Sequence, residues 1–314
     1  VFVHLDAKAD PGAGRLRLPR HAVLIEPRVE VFWGGWSMMR ATLALIGAAR
    51  ARGGFDRFVL ISGDALPVLP LERLEAALLD RTREYVELVP VPDDPSLAGV
   101  AVEAASARHG WVQPWRLHNP VAWDHRLLNP FQREAAARHY GVAQERIDWI
   151  RGDVERLVRE LLAELRPARP FPGFWYGTQW WALTGATIEG LAPELARAEV
   201  QRFFRTIQVP DEHMIQTVLG ERPALMEGRT VVGGPMWTDQ ARRAAGVDTL
   251  TLAGFRAAGA QGSQILFARK FDPAAAPEVA AALRDGRYER DVLGVSRRRR
   301  SAAGGRNTAS QRRS

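Results

Sequence analysis

Two acids behind a proline, Asp211 and Glu212 in Val209-Pro210-Asp211-Glu212-His213-Met214, and two adjacent cations, Arg269 and Lys270, are the residues here whose types and spacing suit chemistry. Asp211 is a residue type that caps helix N-termini, and Pro210 suits the extended chain leading into a cap. Glu212 then falls in the first helical turn, where the macrodipole favours an ionised carboxylate. That is the form a general base needs to take a proton from a hydroxyl. The plainer reading is that both acids only complement the dipole. Among 43 basic residues only Lys8 and Lys270 are lysine. In a chain that otherwise writes arginine, both positions are candidates for a compact ammonium facing a charged ligand.

The elements that must position these groups alternate. Val1 to Asp6 reads as a strand with a polar tip, followed by a loop through Lys8 and Asp10. His21 to Glu26 and Val29 to Phe32 read as short extended pieces. Ser37 is placed to cap a helix over 38–52, closed by Gly53-Gly54. Phe58 to Ile61 is a short apolar run that reads as a buried parallel strand ending in Ser62-Gly63-Asp64. Helix then strand recurs over 71–81 and 85–89. Later come a strand at 182–184, a helix near 188–196, the Glu212 helix, a strand at 265–268 delivering Arg269 and Lys270, and a helix over 277–284. The pattern predicts an α/β sheet with ligands at the carboxyl ends of its strands, where Asp6 and Asp64 fall. One domain is expected over 1–293, with an irregular, tryptophan-rich lobe at about 90–170.

Charge and motif content narrow the function. The seven arginines between Ser296 and Ser314 account for the whole formal charge of +7, leaving the rest of the chain neutral. A Ser/Ala/Gly/Arg segment of this kind cannot build a core and is expected to be a disordered tail over 294–314. No specific nucleic-acid partner is expected, and contact of the tail with an anionic membrane face stays open. The chain has no cysteine, which excludes disulfides and thiolate metal sites. It has no dinucleotide fingerprint, no phosphate-binding Gly-Lys-Ser/Thr loop and no nucleophile elbow. His118, Asp124 and His125 match no standard zinc spacing. No two aspartates are separated by a single residue, so a bound diphosphate would rely on cationic side chains.

Six stretches in order resemble one family. They are His4-Leu5-Asp6-Ala7-Lys8; Trp33-Gly34-Gly35-Trp36-Ser37 with Ala41-Thr42-Leu43; Leu60-Ile61-Ser62-Gly63-Asp64 with Leu66-Pro67; Gly177-Thr178-Gln179-Trp180-Trp181; Pro210-Asp211-Glu212; and Phe267-Ala268-Arg269-Lys270-Phe271-Asp272. Together they are similar to the core-2/I-branching enzymes, the inverting glycosyltransferase family 14 of β-1,6-N-acetylglucosaminyltransferases and peptide O-xylosyltransferases, in a bacterial form. The resemblance implies a GT-A fold, a Rossmann-like mixed sheet flanked by helices, that uses a UDP-sugar without a metal or other cofactor. It implies Glu212 as catalytic base, Lys270 with Arg269 on the donor diphosphate, and Asp6 with His4 on the nucleoside side. Glu87 matches an acceptor-binding glutamate. Ser62, Gly63, Asp64, Gln179, Trp180 and Trp237 fall in the donor and acceptor pocket. The implied acceptor is a glycan, peptide or small molecule, and the expected location is cytoplasmic or at the inner face of the membrane.

Two departures from the family pattern bear on donor binding. Asp248 stands where the family has a second basic residue, with Arg243, Arg256 and Arg269 open as substitutes. The family's earlier strand and turn, which hold the uracil base, are expected to precede the first residue of this chain. Each motif alone also has a plainer reading: a polar strand end at His4 and Asp6, a turn at Ser62 to Asp64, core tryptophans at 175–181. A non-catalytic nucleotide-sugar or carbohydrate-binding protein on the same fold is the alternative.

Overall fold

The computed structural model describes residues 1–9, 18–31, 35–91, 168–205, 207, 209–239, 242 and 247–295. Nearly all of the expected lobe, Trp33, Gly34, Arg243 and the tail from 296 lie outside the described residues. In chain order the elements begin with β1 (Phe2–Val3), β2 (Val23–Leu24), α1 (Trp36–Arg52), β3 (Arg57–Leu60), β4 (Leu66–Pro67), α2 (Leu71–Leu79), β5 (Arg83–Glu84) and β6 (Val89–Val91). After the lobe come β7 (Phe174–Tyr176), β8 (Trp181–Thr184), α3 (Gly185–Ala196), α4 (Ala198–Phe204), a 3₁₀ turn (Pro210–Glu212) and α5 (Met214–Glu221). A second 3₁₀ turn (Pro223–Met226), β9 (Thr230–Val231), β10 (Met236–Trp237), α6 (Leu252–Gly259), β11 (Phe267–Ala268), α7 (Pro277–Arg284) and α8 (Tyr288–Asp291) complete the set.

The class is mixed α/β: several small sheets, parallel and antiparallel, flanked by helices. The expectation of one Rossmann-like sheet is met only at that coarser level. β8 is buried along its whole length, with β3 antiparallel on one edge and Tyr85 bridging Ala182 antiparallel on the other. Phe58 to Ile61, expected as a buried parallel strand, is thus antiparallel over Phe58 to Leu60, each only half-buried, and Ile61 beyond it is exposed. A short apolar run carries no signal for strand direction; the partner decides it. β5 and β9 run parallel, β6 and β7 antiparallel, and β11 lies between a parallel β10 and an antiparallel β4. Around β7 and β8, α3, α4 and α5 bury Ile188, Leu191, Phe203, Phe204, Met214 and Val218 in the main core.

Some helix ends follow local chemistry, and two expected caps do not form. Gly53 closes α1 at a positive φ of 69° and donates its N–H to Ala49 O. Thr184 caps α3 by accepting the Thr187 N–H. Ser37, however, lies inside α1, whose cap position is Gly35. Asp211 does not cap α5 either: the cap position is His213, and Pro210 to Glu212 form the separate 3₁₀ turn before it. Two i to i+3 bonds close that turn, Glu212 N–H to Val209 O and His213 N–H to Pro210 O.

The junction of β3, β5 and β8 is held by buried charge. Glu84 is fully buried, and Arg57 is 5 % exposed at 3.8 Å from it. The carboxylate accepts from Thr184 N (2.8 Å), Thr184 Oγ1 (2.6 Å) and Thr187 Oγ1 (2.5 Å), with Arg229 at 3.5 Å. The Arg57 guanidinium donates to four carbonyls, those of Leu78, Asp80, Arg83 and Ala182. Burial pushes the Arg57 pKa below its ordinary value, against the pull of Glu84. Breaking a buried pair strands the remaining charge, at a cost of about 3–5 kcal/mol. Glu84→Ala should therefore lower the urea-unfolding free energy by about that amount, and a shift below about 1 kcal/mol, the range of exposed pairs, would remove the pair from its organising place.

Candidate functional site

The stretch Gly177-Thr178-Gln179-Trp180, between β7 and β8, brings the acidic and cationic groups to one wall. Gly177 N–H donates to the Glu212 carbonyl at 3.0 Å, and Thr178 N–H donates to Glu87 Oε2 at 3.1 Å. Gln216, one helical turn after Glu212, donates Nε2–H to Thr178 O at 2.8 Å. Two buried acidic residues, Glu87 and Glu212, 9 % and 7 % exposed, are thereby tied to adjacent residues, Glu87 through its carboxylate to Thr178 and Glu212 through its main-chain carbonyl to Gly177. Main chain sets their separation, and it is tight: a Cβ on Gly177 would lie 2.0 Å from Glu87 O and 2.9 Å from Gln216 Cγ. Only glycine allows that approach.

The turn that presents Glu212 is strained. Val209 has φ 55°, a left-handed conformation that is a genuine outlier for a β-branched residue and costs on the order of 1–3 kcal/mol. Burial of Val209 at 2 % exposure holds it there. Such strain concentrates at functional turns.

Trp180 connects this wall to the cations. The Arg269 guanidinium lies 4.8 Å from the centre of the Trp180 ring, a cation–π contact, and donates to Asp64 at 3.2 and 3.4 Å. Burial works to raise the Asp64 pKa, but the Ser62 hydroxyl, Arg269 and Lys270 outweigh it and hold the carboxyl below its ordinary value. Asp64 O also accepts the Phe271 N–H at 2.7 Å, so one residue grips the chain on both sides of Lys270. The Lys270 ammonium extends to Asp248 Oδ2 at 2.9 Å. From Gly177 to Trp180 is at most about 11 Å of chain, so the Glu212 turn and the Arg269–Lys270 segment border one region.

The other expected residues are placed as follows. Gln179 and Trp180 are half-buried. Gly63 has open space where a Cβ would go. Trp237 packs on the second core cluster, and its carbonyl accepts the Arg269 N–H at 3.1 Å. Glu87 does not end a strand over 85–89; it lies in the irregular link between β5 and β6. His4 and Asp6 follow β1, and α1 packs against both β1 and the Glu212 turn. His4 Nε2 accepts the Val29 N–H at 2.9 Å. Asp6 accepts the N–H groups of Lys8 and Val31 and pairs with the Lys8 ammonium at 3.2 Å. Among the described residues no three His, Asp or Glu side chains are placed to hold a metal ion, and no helix is long and apolar enough to cross a membrane.

The chain matches no protein-family model and no curated protein. The site therefore rests on its own geometry, and that geometry includes residues that the sequence reading passed over. Gln216 is one; its i, i+4 spacing from Glu212 was the available signal. Gly177, quoted above only as the first residue of its stretch, also proves to be the point of close approach between Glu87 and Gln216. A separate apolar cavity of about 370 Å³ lies between β1 and β3, with Phe2, Phe58, Leu60 and α1 residues in its lining. It contains none of the expected polar residues, so size does not mark the site.

Two outcomes test this geometry. Gly177→Ala should cost about 1–3 kcal/mol, the usual range for overpacking, read as a lower denaturation midpoint; an unchanged midpoint would mean that the two walls can part freely. Burial lowers the His4 pKa from its ordinary 6.5, Arg28 adding to the effect and Asp6 opposing it. The unfolded chain then binds the proton first, so His4-linked stability is complete above about pH 6.5 and falls as pH drops through the lower folded value. Thermal melts from pH 7.5 to 5 should show this slope, and His4→Gln, which keeps an acceptor without titrating, should flatten it.

Proposed function

We propose that this chain is an inverting, metal-independent glycosyltransferase of the GT-A type, moving GlcNAc or xylose from a UDP-sugar to an acceptor hydroxyl. The observation that carries the reading is the short Gly177–Trp180 wall, with the Glu212 turn and Glu87 tied to one end and the Arg269–Lys270 segment to the other. The resemblance in sequence to the core-2/I-branching enzymes supports it.

In this reading Glu212 takes the proton of the acceptor hydroxyl as its oxygen attacks the anomeric carbon. The bond from that carbon to the diphosphate breaks on the opposite face, and its electron pair leaves on the terminal phosphate oxygen of UDP. Lys270 meets that charge with a fixed ammonium, the kind of electrostatic stabilisation that acts where charge develops. Glu87, held by the Thr178 N–H, serves the acceptor side in this reading. Asp64 and Trp180 hold Arg269 beside the diphosphate, and Asp6 with His4 serves the nucleoside.

The pairing of Lys270 with Asp248 favours a second reading, a protein that binds a nucleotide sugar without turning it over. Release of UDP from UDP-GlcNAc and UDP-xylose, measured with excess EDTA, separates the two. Release that survives EDTA is expected, and Glu212→Gln should cut it at least about 100-fold, the lower range for a lost general base, while UDP binding is kept. Turnover retained in Glu212→Gln removes Glu212 from the chemistry. A requirement for added manganese overturns the role of Lys270, and UDP bound without release leaves the binding protein.

A further inference from the structure

We propose that the cavity between the start of α2, α6 and the chain after α8 seats the phosphate and upper acyl chain of one anionic phospholipid, and so docks this face of the protein on a membrane. The inference is independent of the transferase reading.

The cavity, of about 340 Å³, is lined by apolar Val68, Phe255, Val292 and Leu293, and the two charged residues in its lining, Arg73 and Arg256, are both basic. Roughly 10–15 Å³ of such space holds one water, so there is room for a small organic group. Both arginines are exposed, and among the described residues neither forms a salt bridge. The Arg256 guanidinium donates to Asp291 O at 2.8 Å, a carbonyl, which leaves its charge unneutralised. The acids of neighbouring α8 are engaged elsewhere. Asp291 pairs with Arg290 at 2.6 Å and Arg287 at 3.6 Å, and Glu289 accepts the Leu71 N–H at 2.6 Å.

The sequence extends this cationic character. A run of four arginines, Arg297 to Arg300, starts three residues after Gly294, itself a lining residue, and three residues reach at most about 11 Å. Basic clusters of this size recognise anionic lipid headgroups. Leu71, next in the chain to the lining residue Pro70, is 58 % exposed, an apolar side chain that a membrane would cover. One lipid satisfies both parts of the cavity: its phosphate suits the guanidiniums, and its first methylenes suit the apolar lining. A nucleic-acid backbone would use the same arginines but leave that lining unmatched. The ring of Phe255 is fully buried, so it offers no face for a base to stack on.

The test is co-sedimentation of the full chain, at low salt, with vesicles of phosphatidylcholine alone and of phosphatidylcholine mixed with phosphatidylglycerol. The unsubstituted protein is compared with an Arg73→Gln/Arg256→Gln pair and with Ala260→Gln, which adds a polar side chain to the lining without changing the charge. All three positions are exposed, so melting midpoints should match. Binding is expected to the mixed vesicles only. The arginine pair should weaken it about 25-fold, at roughly five-fold per arginine near an anionic surface. Ala260→Gln should weaken it about ten-fold, the equivalent of about two buried methylenes. An arginine pair without effect, in a chain whose binding is lost when Arg297 to Arg300 become glutamine, overturns the cavity and leaves the basic run alone. Weakening by the pair with none by Ala260→Gln overturns the lipid seat, since charge alone then explains it. No binding to mixed vesicles overturns it too, and a single-stranded oligonucleotide bound instead, and released by the arginine pair, gives this face to nucleic acid.

Discussion

The buried pairing of Arg57 with Glu84 is the constraint on which the rest of the fold depends. Desolvating two charges is costly, and it is tolerated only where other hydrogen bonds complete both partners. Here the guanidinium spends its donors on four main-chain carbonyls, and the carboxylate takes the hydroxyls of Thr184 and Thr187. Strand β3, the end of α2, β5, β8 and the start of α3 therefore meet in one geometry. Apolar packing alone would allow these short strands to slide, since two to four residues of pairing specify register weakly.

From that junction β8 leads back to Trp180 and Gly177, and so to both ends of the candidate site. The two buried acidic residues are held by adjacent peptide groups, the Gly177 N–H on the Glu212 carbonyl and the Thr178 N–H on the Glu87 carboxylate. Val209 supplies the bend that turns Glu212 toward this wall. Placement along this wall thus comes from backbone bonds, whereas the cations are held by side chains, Arg269 by Asp64 and Trp180 and Lys270 by Asp248.

Much of this was legible in the sequence. The spacing of apolar residues and the glycine stop placed α1, α2 and α7 within a few residues. Strand direction was not legible, because Phe58 to Ile61 reads the same in either orientation until β8 pairs with it. Nor was the 3₁₀ turn: Pro210 and Asp211 carry a helix-start signal, and the left-handed Val209, which diverts them, has no sequence signature. Glu84 was missed for the same reason. A glutamate in a two-residue strand reads as surface until Arg57, Thr184 and Arg229, distant in sequence, close around it.

The apolar cavity between β1 and β3 has a further consequence. Among the described residues β1 is paired only with β2 and β3 only with β8, so each strand has an outer row of peptide groups without a ladder partner. Val1, Phe55 and Ile61 are exposed along this margin, with no lysine or proline to blunt it. Unblunted margins invite pairing between copies. What such a margin offers a neighbouring segment is peptide edge and hydrocarbon rather than charge.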